Sequence, residues 1–349
     1  CCDHSFDCCD CFACFWKCGV ILLLSLLLLS TTPSPANELP QEKCPIEAYF
    51  KAARSIDCET LRQYLNLYDD CKTARDSGRR TAAMMVAGNN KIHHDVSPTE
   101  RDYIDGKAGF CIQVLDSFQG AMIDARDQGG RTAVFWAAAN GMPKLLDSML
   151  SVPSLLEKKV GVMTKAQVLE TKELDRAYTA LHAATTHNHL NSVKILIQHG
   201  ANVRARDRDG QTCIMKAAVN QRSDIAHEFI EADKNTVLDM TNKKSWTACH
   251  HAVFSKSVEM ISSFIHSNAC PFDVRDRDGN TPYTLAVAFG LEKISLMLLH
   301  AKVDRVHHDY GQWEDKQKER FPEEPIQDHP TDVRHQDHQM GTMELNHDL

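Results

Sequence analysis

The cysteines and histidines are the residues whose spacing suggests chemistry in this chain. Cys8 and Cys11, like Cys11 and Cys14, are separated by two residues, as zinc ligands often are. The two pairs share Cys11, however, and no separate second pair follows. We therefore predict no metal site.

Two adjacent histidine pairs are the remaining candidates for catalysis. His93-His94 lies in a polar stretch, and His250-His251 lies at the start of a small-residue segment. The chain has no Gly-rich phosphate loop, no His-Glu-x-x-His motif and no nucleophile elbow. The sequence thus predicts no enzyme, no catalytic residue and no cofactor.

The elements that position these residues follow a repeated phrase: a turn, a Thr and a run of small apolar residues. Thr179, Thr212, Thr247 and Thr281 lie 33, 35 and 34 residues apart. A fixed period of this size is typical of stacked repeats. The longer intervals on either side of Thr132 predict insertions near residues 89–105 and 151–174, which we expect to be loops.

Each part of the phrase has a physical reason. Asp and Gly form the turn, because Asp accepts main-chain hydrogen bonds and Gly adopts a positive φ. Thr then caps a first helix. In the following segment Val193, Leu196 and Ile197 lie on one helical face. One such helix pair is too small to bury its apolar face alone, so neighbouring pairs must cover it.

The phrase resembles the ankyrin repeat family. The unit from Tyr178 to Ala184, continued by Ser192 to Val203, is close to the family pattern. The resemblance implies an all-α solenoid of helix-turn-helix units with short β-hairpin fingers. It covers residues 46–305, as about six to seven repeats that include an N-terminal capping unit. It also implies a non-catalytic scaffold that binds a protein or peptide.

The resemblance assigns two sets of binding residues. The first, here called the concave row, follows the family's His position in each unit: Met85, Trp136, Ala183, Lys216, His251 and Leu285. The second lies in the fingers: Arg126, Asp127, Arg204, Arg206, Asp207, Arg208, Asp209, Arg275, Asp276, Arg277 and Asp278.

Each set has an alternative interpretation. Trp136 is the leading anchor candidate, because large aromatic residues dominate interface energies, or else it packs against the adjacent insertion. The alternating finger charges either select a complementary partner or are only solvated turns. His250 falls on the family's structural His position.

Residues 1–45 form a different kind of segment. Seven of the chain's 14 cysteines precede an apolar run over residues 19–29. This pattern fits a signal peptide, or a membrane anchor over residues 11–30. It also fits a non-native start, because the chain begins with Cys1 and its first methionine is Met84. A membrane-tethered or secreted ankyrin effector is therefore the alternative function.

The tail and the buried cysteines complete the prediction. Residues 306–349 contain eleven acidic residues and four Lys or Arg, so they carry most of the chain's net charge of −8. We predict a disordered tail, and the acidity argues against nucleic acid as a partner. Cys213 and Cys249 occupy small apolar helix positions, so we expect no disulfides within the repeats. That expectation favours a reducing, cytoplasmic location, with secretion less favoured.

Overall fold

The computed structural model describes residues 43–88, 96–118, 122–152, 163–233, 240–267 and 270–305. The zinc-like cysteines, residues 11–30, the pair His93-His94 and the tail after residue 305 lie outside the described residues. Within the described ranges, no helix has both the length and the apolarity needed to cross a membrane.

The described helices form seven successive pairs, each with an inner and an outer helix. The inner helices are α1 (Ile46–Arg54), α3 (Ala82–Ala87), α5 (Ala133–Ala139), α8 (Ala180–Thr186), α10 (Cys213–Val219), α12 (Ala248–Phe254) and α14 (Pro282–Ala288). The outer helices are α2 (Cys58–Leu67), α4 (Pro98–Ser117), α6 (Pro143–Leu150), α9 (Leu190–Gln198), α11 (Ser223–Ala232), α13 (Val258–His266) and α15 (292–305). A short helix, α7 (Lys165–Leu169), precedes the fourth pair.

The stacking follows from the composition of the inner helices. Each inner helix contacts the inner helices of its neighbours, and outer helices likewise contact outer helices. The small side chains of Ala217 and Ala218 are fully buried and permit this close approach. The apolar face predicted for α9 is buried at Val193 and Leu196. These contacts confirm the all-α solenoid. In the described ranges the fingers close as turns, and no residue there is assigned to a β-strand.

The two predicted insertions contain regular structure. Pro98 to Asp105 form the first turns of α4, because Ser97 caps the helix and Pro98 occupies a position where a missing N–H costs nothing. Asp105 is buried, and its carboxylate accepts hydrogen bonds from the N–H groups of Lys144 and Leu145 at 2.8 and 2.9 Å. This segment of the first insertion is therefore helix rather than loop. The second insertion contains α7.

The cysteines differ from the sequence expectation. Disulfides join Cys44 to Cys71, Cys58 to Cys111 and Cys249 to Cys270, with Cα separations of 5.3, 4.8 and 6.2 Å. The expectation of no disulfides within the repeats was wrong, because stacking brings together cysteines that are distant in sequence. Cys213 alone matches it: this thiol is free and buried, and burial raises its pKa.

Buried histidines link consecutive pairs. His182 accepts a hydrogen bond from the Thr179 hydroxyl at 2.9 Å through Nδ1, and its Nε2 donates to Gln211 O at 3.3 Å in the next pair. His250 repeats this arrangement with Thr247 and Asn280. Both rings are fully buried. Each neutral ring is thus satisfied on both sides, which supports the structural role expected for His250.

Because these histidines are buried, we predict that the free energy of unfolding falls in mild acid. Burial lowers the pKa of His182 to about 4 from its ordinary value of 6.5. Between these values the unfolded chain binds a proton that the folded chain excludes, so stability falls as the pH drops from 6.5 to 4. The contribution of His182 is on the order of 3 kcal/mol. Urea unfolding between pH 7 and pH 4.5 measures it.

A matched pair of substitutions isolates the effect. His182→Asn should reduce the pH dependence of the unfolding free energy by about one proton. His227→Asn, which removes an exposed histidine from α11, is the matched control substitution. Asp105, His250 and His251 also have pKa values shifted by burial, but they are present in both variants, so their contribution cancels in the comparison. An unchanged pH dependence in His182→Asn would contradict the assignment.

Candidate protein-binding surface

Five fingers are each built around one buried or partly buried Asp or Asn. In the fifth pair, Asp207 Oδ1 accepts hydrogen bonds from the N–H groups of Asp209 and Gln211 at 2.9 and 2.7 Å. The N–H of Asp207 donates to Gln211 O at 2.9 Å, and Gly210 closes the turn with φ +75°. We call a residue whose side-chain oxygen accepts a main-chain hydrogen bond from its own turn a locking residue. The same arrangement recurs at Asp76, Asp127, Asn242 and Asp276.

The second oxygen or nitrogen of these locking groups is also occupied. Asp127 Oδ2 accepts from Trp136 Nε1 at 3.2 Å, and Asp207 Oδ2 pairs with Lys216 Nζ at 2.9 Å. Asn242 Nδ2 donates to His251 Nε2 at 3.1 Å. In these three repeats the concave-row residue thus lies nine positions after the locking residue and supports the finger of its own repeat.

Two finger-supporting groups show the electrostatic effect of burial. Burial lowers the pKa of His251 to about 4, so its ring is neutral and Nε2 is free to accept. The pKa of Lys216 is raised despite its burial, because the Asp207 carboxylate and the Tyr178 hydroxyl stabilise the ammonium. Lys216 therefore remains a cation where it faces the finger.

The concave row is unevenly accessible. Met85, Ala183, His251 and Leu285 are buried, whereas Trp136 and Lys216 are half-buried. The Arg131 guanidinium lies over the Trp136 ring at 4.2 Å from its centroid. Trp136 therefore packs on its own finger and keeps part of its surface open to a partner.

The finger tips are joined to one another by the main chain. The N–H of Arg208 donates to Arg176 O at 2.8 Å, that of Lys243 to Asp209 O at 3.1 Å, and that of Arg277 to Lys244 O at 3.3 Å. Equivalent bonds join Gln128 to Gly78 and Leu174 to Gly129. Because one main-chain hydrogen bond joins each described finger tip to the next, the tips form a continuous edge with a fixed spacing.

Acidic and basic residues take opposite positions along this edge. The locking residues Asp127, Asp207 and Asp276 are buried. The remaining predicted finger residues are exposed: Arg126, Arg204, Arg206, Arg208, Asp209, Arg275, Arg277 and Asp278. Charges that alternate in sequence are therefore separated in space. Most of the finger aspartates are buried, and the finger arginines are exposed to solvent.

An exposed apolar patch escaped the sequence analysis. Phe254 is 53% exposed and Phe289 44% exposed, and their ring centroids lie 6.2 Å apart. The Trp246 ring packs on Phe254 at 5.4 Å. Phe254 and Phe289 lie at or just beyond the last turn of an inner helix, where the repeat phrase has no fixed residue type. Only the presence of large aromatic residues at these ends could have indicated the patch.

Known proteins share the repeat. The ankyrin repeat family profile (three copies) matches residues 151–238. Ankyrin repeat domain-containing protein 63 of Homo sapiens is 27% identical over 145 residues, 41% of this chain and 36% of that protein. Tyrosine-protein kinase HTK16 of Hydra vulgaris is 26% identical over 111 residues, 32% of this chain and 14% of the kinase. The chain thus spans well under half of these relatives.

A solved structure has the same architecture. The ankyrin repeat domain of Bcl-3, described as a unique member of the IkappaB protein family, matches with a TM-score of 0.55. The match covers 72% of this chain and 96% of that domain, at 17% sequence identity. Paired helices stacked through a common edge of turns define a helical repeat solenoid. Together with the matching repeats over residues 151–238 and the relatives, this architecture confirms the resemblance of the chain to ankyrin repeat proteins.

Because Asp207 is buried and Asp209 is exposed, we predict that replacing each of them changes the unfolding free energy by very different amounts. Asp207→Ala removes the acceptor for two main-chain N–H groups and the partner of Lys216, so we expect a loss of roughly 2–3 kcal/mol in unfolding free energy. Asp209→Ala, two residues away and exposed, should change it by less than about 0.5 kcal/mol. Urea unfolding at pH 7 measures both. Equal losses would refute the locking role.

Proposed function

We propose that this chain is a non-catalytic scaffold that binds a protein or peptide partner through the concave row and the fingers. The observation that carries the proposal is the continuous finger edge, which holds exposed charged side chains at fixed spacing beside partly open row residues. A partner could contact several repeats at once along such an edge. Ankyrin repeats generally mediate protein–protein interaction, which agrees with this proposal.

Under this proposal some of the predicted residues contact the partner, and the others support those residues from inside the solenoid. Trp136 and Lys216 offer accessible surface from the concave row, and the exposed arginines supply charge. Met85, Ala183, His251 and Leu285 lie behind them and fix their positions. Phe254 and Phe289 add apolar area, which is the main favourable term at most protein interfaces.

The charge of the fingers predicts a kinetic signature. Once a partner is captured with the full chain and titrated, replacing Arg206 and Arg208 by Glu should lower its association rate about tenfold or more at low salt. The effect should shrink as salt rises, because exposed charges act at long range mainly by steering encounters. Stopped-flow or surface-based kinetics measure it.

The control reverses the same number of charges elsewhere. Lys51 and Arg101 are exposed on helices of the first two pairs, and their replacement by Glu should leave the association rate within about twofold. Both double variants must keep the melting temperature of the parent chain. If the finger variant associates as fast as the control variant, the fingers do not contact the partner.

A second candidate function has one observation in its favour. Six of the seven cysteines in the described residues are in disulfides, and disulfides persist mainly in oxidising compartments. We therefore keep a membrane-tethered or secreted ankyrin effector, delivered by residues 1–45, as the alternative to a cytoplasmic scaffold. Both would bind protein through the same surface.

The cysteines distinguish the two locations. For an exported domain, alkylation of freshly lysed cells under denaturing conditions should leave Cys58 and Cys111 unlabelled until a reductant is added, as read by mass spectrometry. Denaturation is needed because both cysteines are buried in the folded chain. Cell fractionation should then place the chain with secreted or membrane material. Immediate labelling of both thiols, with the chain in the cytosolic fraction, would reject the exported alternative.

A further inference from the structure

The basic residues at three consecutive finger tips form a surplus of positive charge. We define the basic finger row as Arg206, Arg208, Lys243, Lys244, Arg275 and Arg277, all of which are exposed. The exposed acids among them are Asp209 and Asp278. Six cations against two anions leave a surplus of four positive charges on one edge of a chain whose net charge is −8.

Three of the four guanidinium groups of this row bond to uncharged acceptors. Arg206 Nη1 donates to Thr241 O, Arg208 Nη2 to Leu174 O at 2.6 Å and Arg275 Nη1 to Gly279 O at 2.9 Å. Carbonyls fix the direction of these side chains without neutralising them. In contrast, the neighbouring Arg204 pairs with Asp233 at 2.5 Å and is neutralised. The row is therefore oriented in advance and remains charged.

The complementary charge lies in the segment that follows the last helix. Residues 306–349 carry eleven acids against four Lys or Arg. The described residues end at Arg305, beside the base of the last finger. Arg305 Nη1 donates to Cys270 O at 3.1 Å, its guanidinium lies 4.6 Å from the Phe272 ring centroid, and Lys302 pairs with Asp273 at 2.5 Å. Residues 270–273 lead directly into Arg275 and Arg277.

We propose that the acidic segment 306–349 binds in cis along the basic finger row. The reach is sufficient, because a flexible chain of this length spans about 35 Å, and three adjacent tips cover on the order of 20 Å at the usual helix-packing distance. Covalent attachment supplies an effective concentration on the order of millimolar. Bound in this way, the segment shields the row from other acidic partners; that consequence rests on the proposed function, whereas the contact itself does not.

Zero-length carboxyl–amine cross-linking of the full chain tests the contact. At low salt, Lys243 and Lys244 should form the dominant cross-links to acids of residues 306–349, as identified by peptide mass spectrometry. Lys51 and Lys194, exposed on other helices, should give at least fivefold lower yields. Addition of 0.5 M salt should reduce the Lys243 and Lys244 yields at least threefold, because exposed charges are then screened.

Charge reversal provides the matched control. Arg208→Glu with Arg277→Glu leaves both reporter lysines in place and should lower their cross-link yield at least fivefold. Lys51→Glu with Arg101→Glu should leave it unchanged, and thermal melting must show both variants folded. Equal mixing of heavy- and light-isotope chains shows whether the linked peptides come from one molecule.

Three results would overturn the proposal: cross-links spread evenly over surface lysines, a yield unaffected by reversal of the row, or linked peptides of mixed isotope composition. The last would assign the contact to a second copy of the chain. Because no partner is present in this assay, any of these results leaves the scaffold proposal standing.

Discussion

The hydrogen bonds between a buried carboxylate and the main chain of its own turn are the interaction on which the rest of this structure depends. Asp127, Asp207 and Asp276 each fix a finger, and the finger fixes where the next Thr begins an inner helix. The carboxylate also holds another side chain: Trp136 and Lys216 donate to Asp127 and Asp207 from inner helices, and Trp246 donates to Asp276 from the preceding finger. Turn geometry, helix start and helix orientation are therefore coupled through one group in each repeat, and burial strengthens the coupling because water does not compete for it.

This coupling explains why charge in the sequence and charge on the surface differ. A run such as Arg206-Asp207-Arg208-Asp209 appears balanced. Once Asp207 is used internally, its flanking arginines have lost their nearest counter-charge on the solvent side. The scaffold thus converts a neutral pattern into a basic edge without any excess of basic residues in the chain as a whole. Net charge alone would have suggested an acidic surface throughout, since the formal net charge is −8.

The sequence predicted the inner helices well because six of the seven follow a Thr and begin with a run of small residues, features that depend on local chemistry. It also placed His182 and His250 in structural roles.

Features set by contacts between repeats were not predictable. The helix over Pro98–Ser117 replaced part of an expected loop, and pairing of Cys58 with Cys111 requires neighbouring outer helices to be in register. The burial of Met85 and Ala183 in the concave row likewise depends on helix tilt, which a residue pattern does not specify. The extent of the domain and the contact role of the site residues remain predictions.

The placement of the disulfides has a mechanical consequence. Cys58–Cys111 ties the first two outer helices together, and Cys44–Cys71 ties the segment before α1 to the turn after α2. At the other end, the pair formed by α14 and α15 packs on one neighbouring pair within the described residues. Under a stretching force the solenoid therefore has a strong end and a weak end. We expect extension to begin with the last pair, whereas Cys249–Cys270 keeps residues 249–270 from extending while that bond is intact.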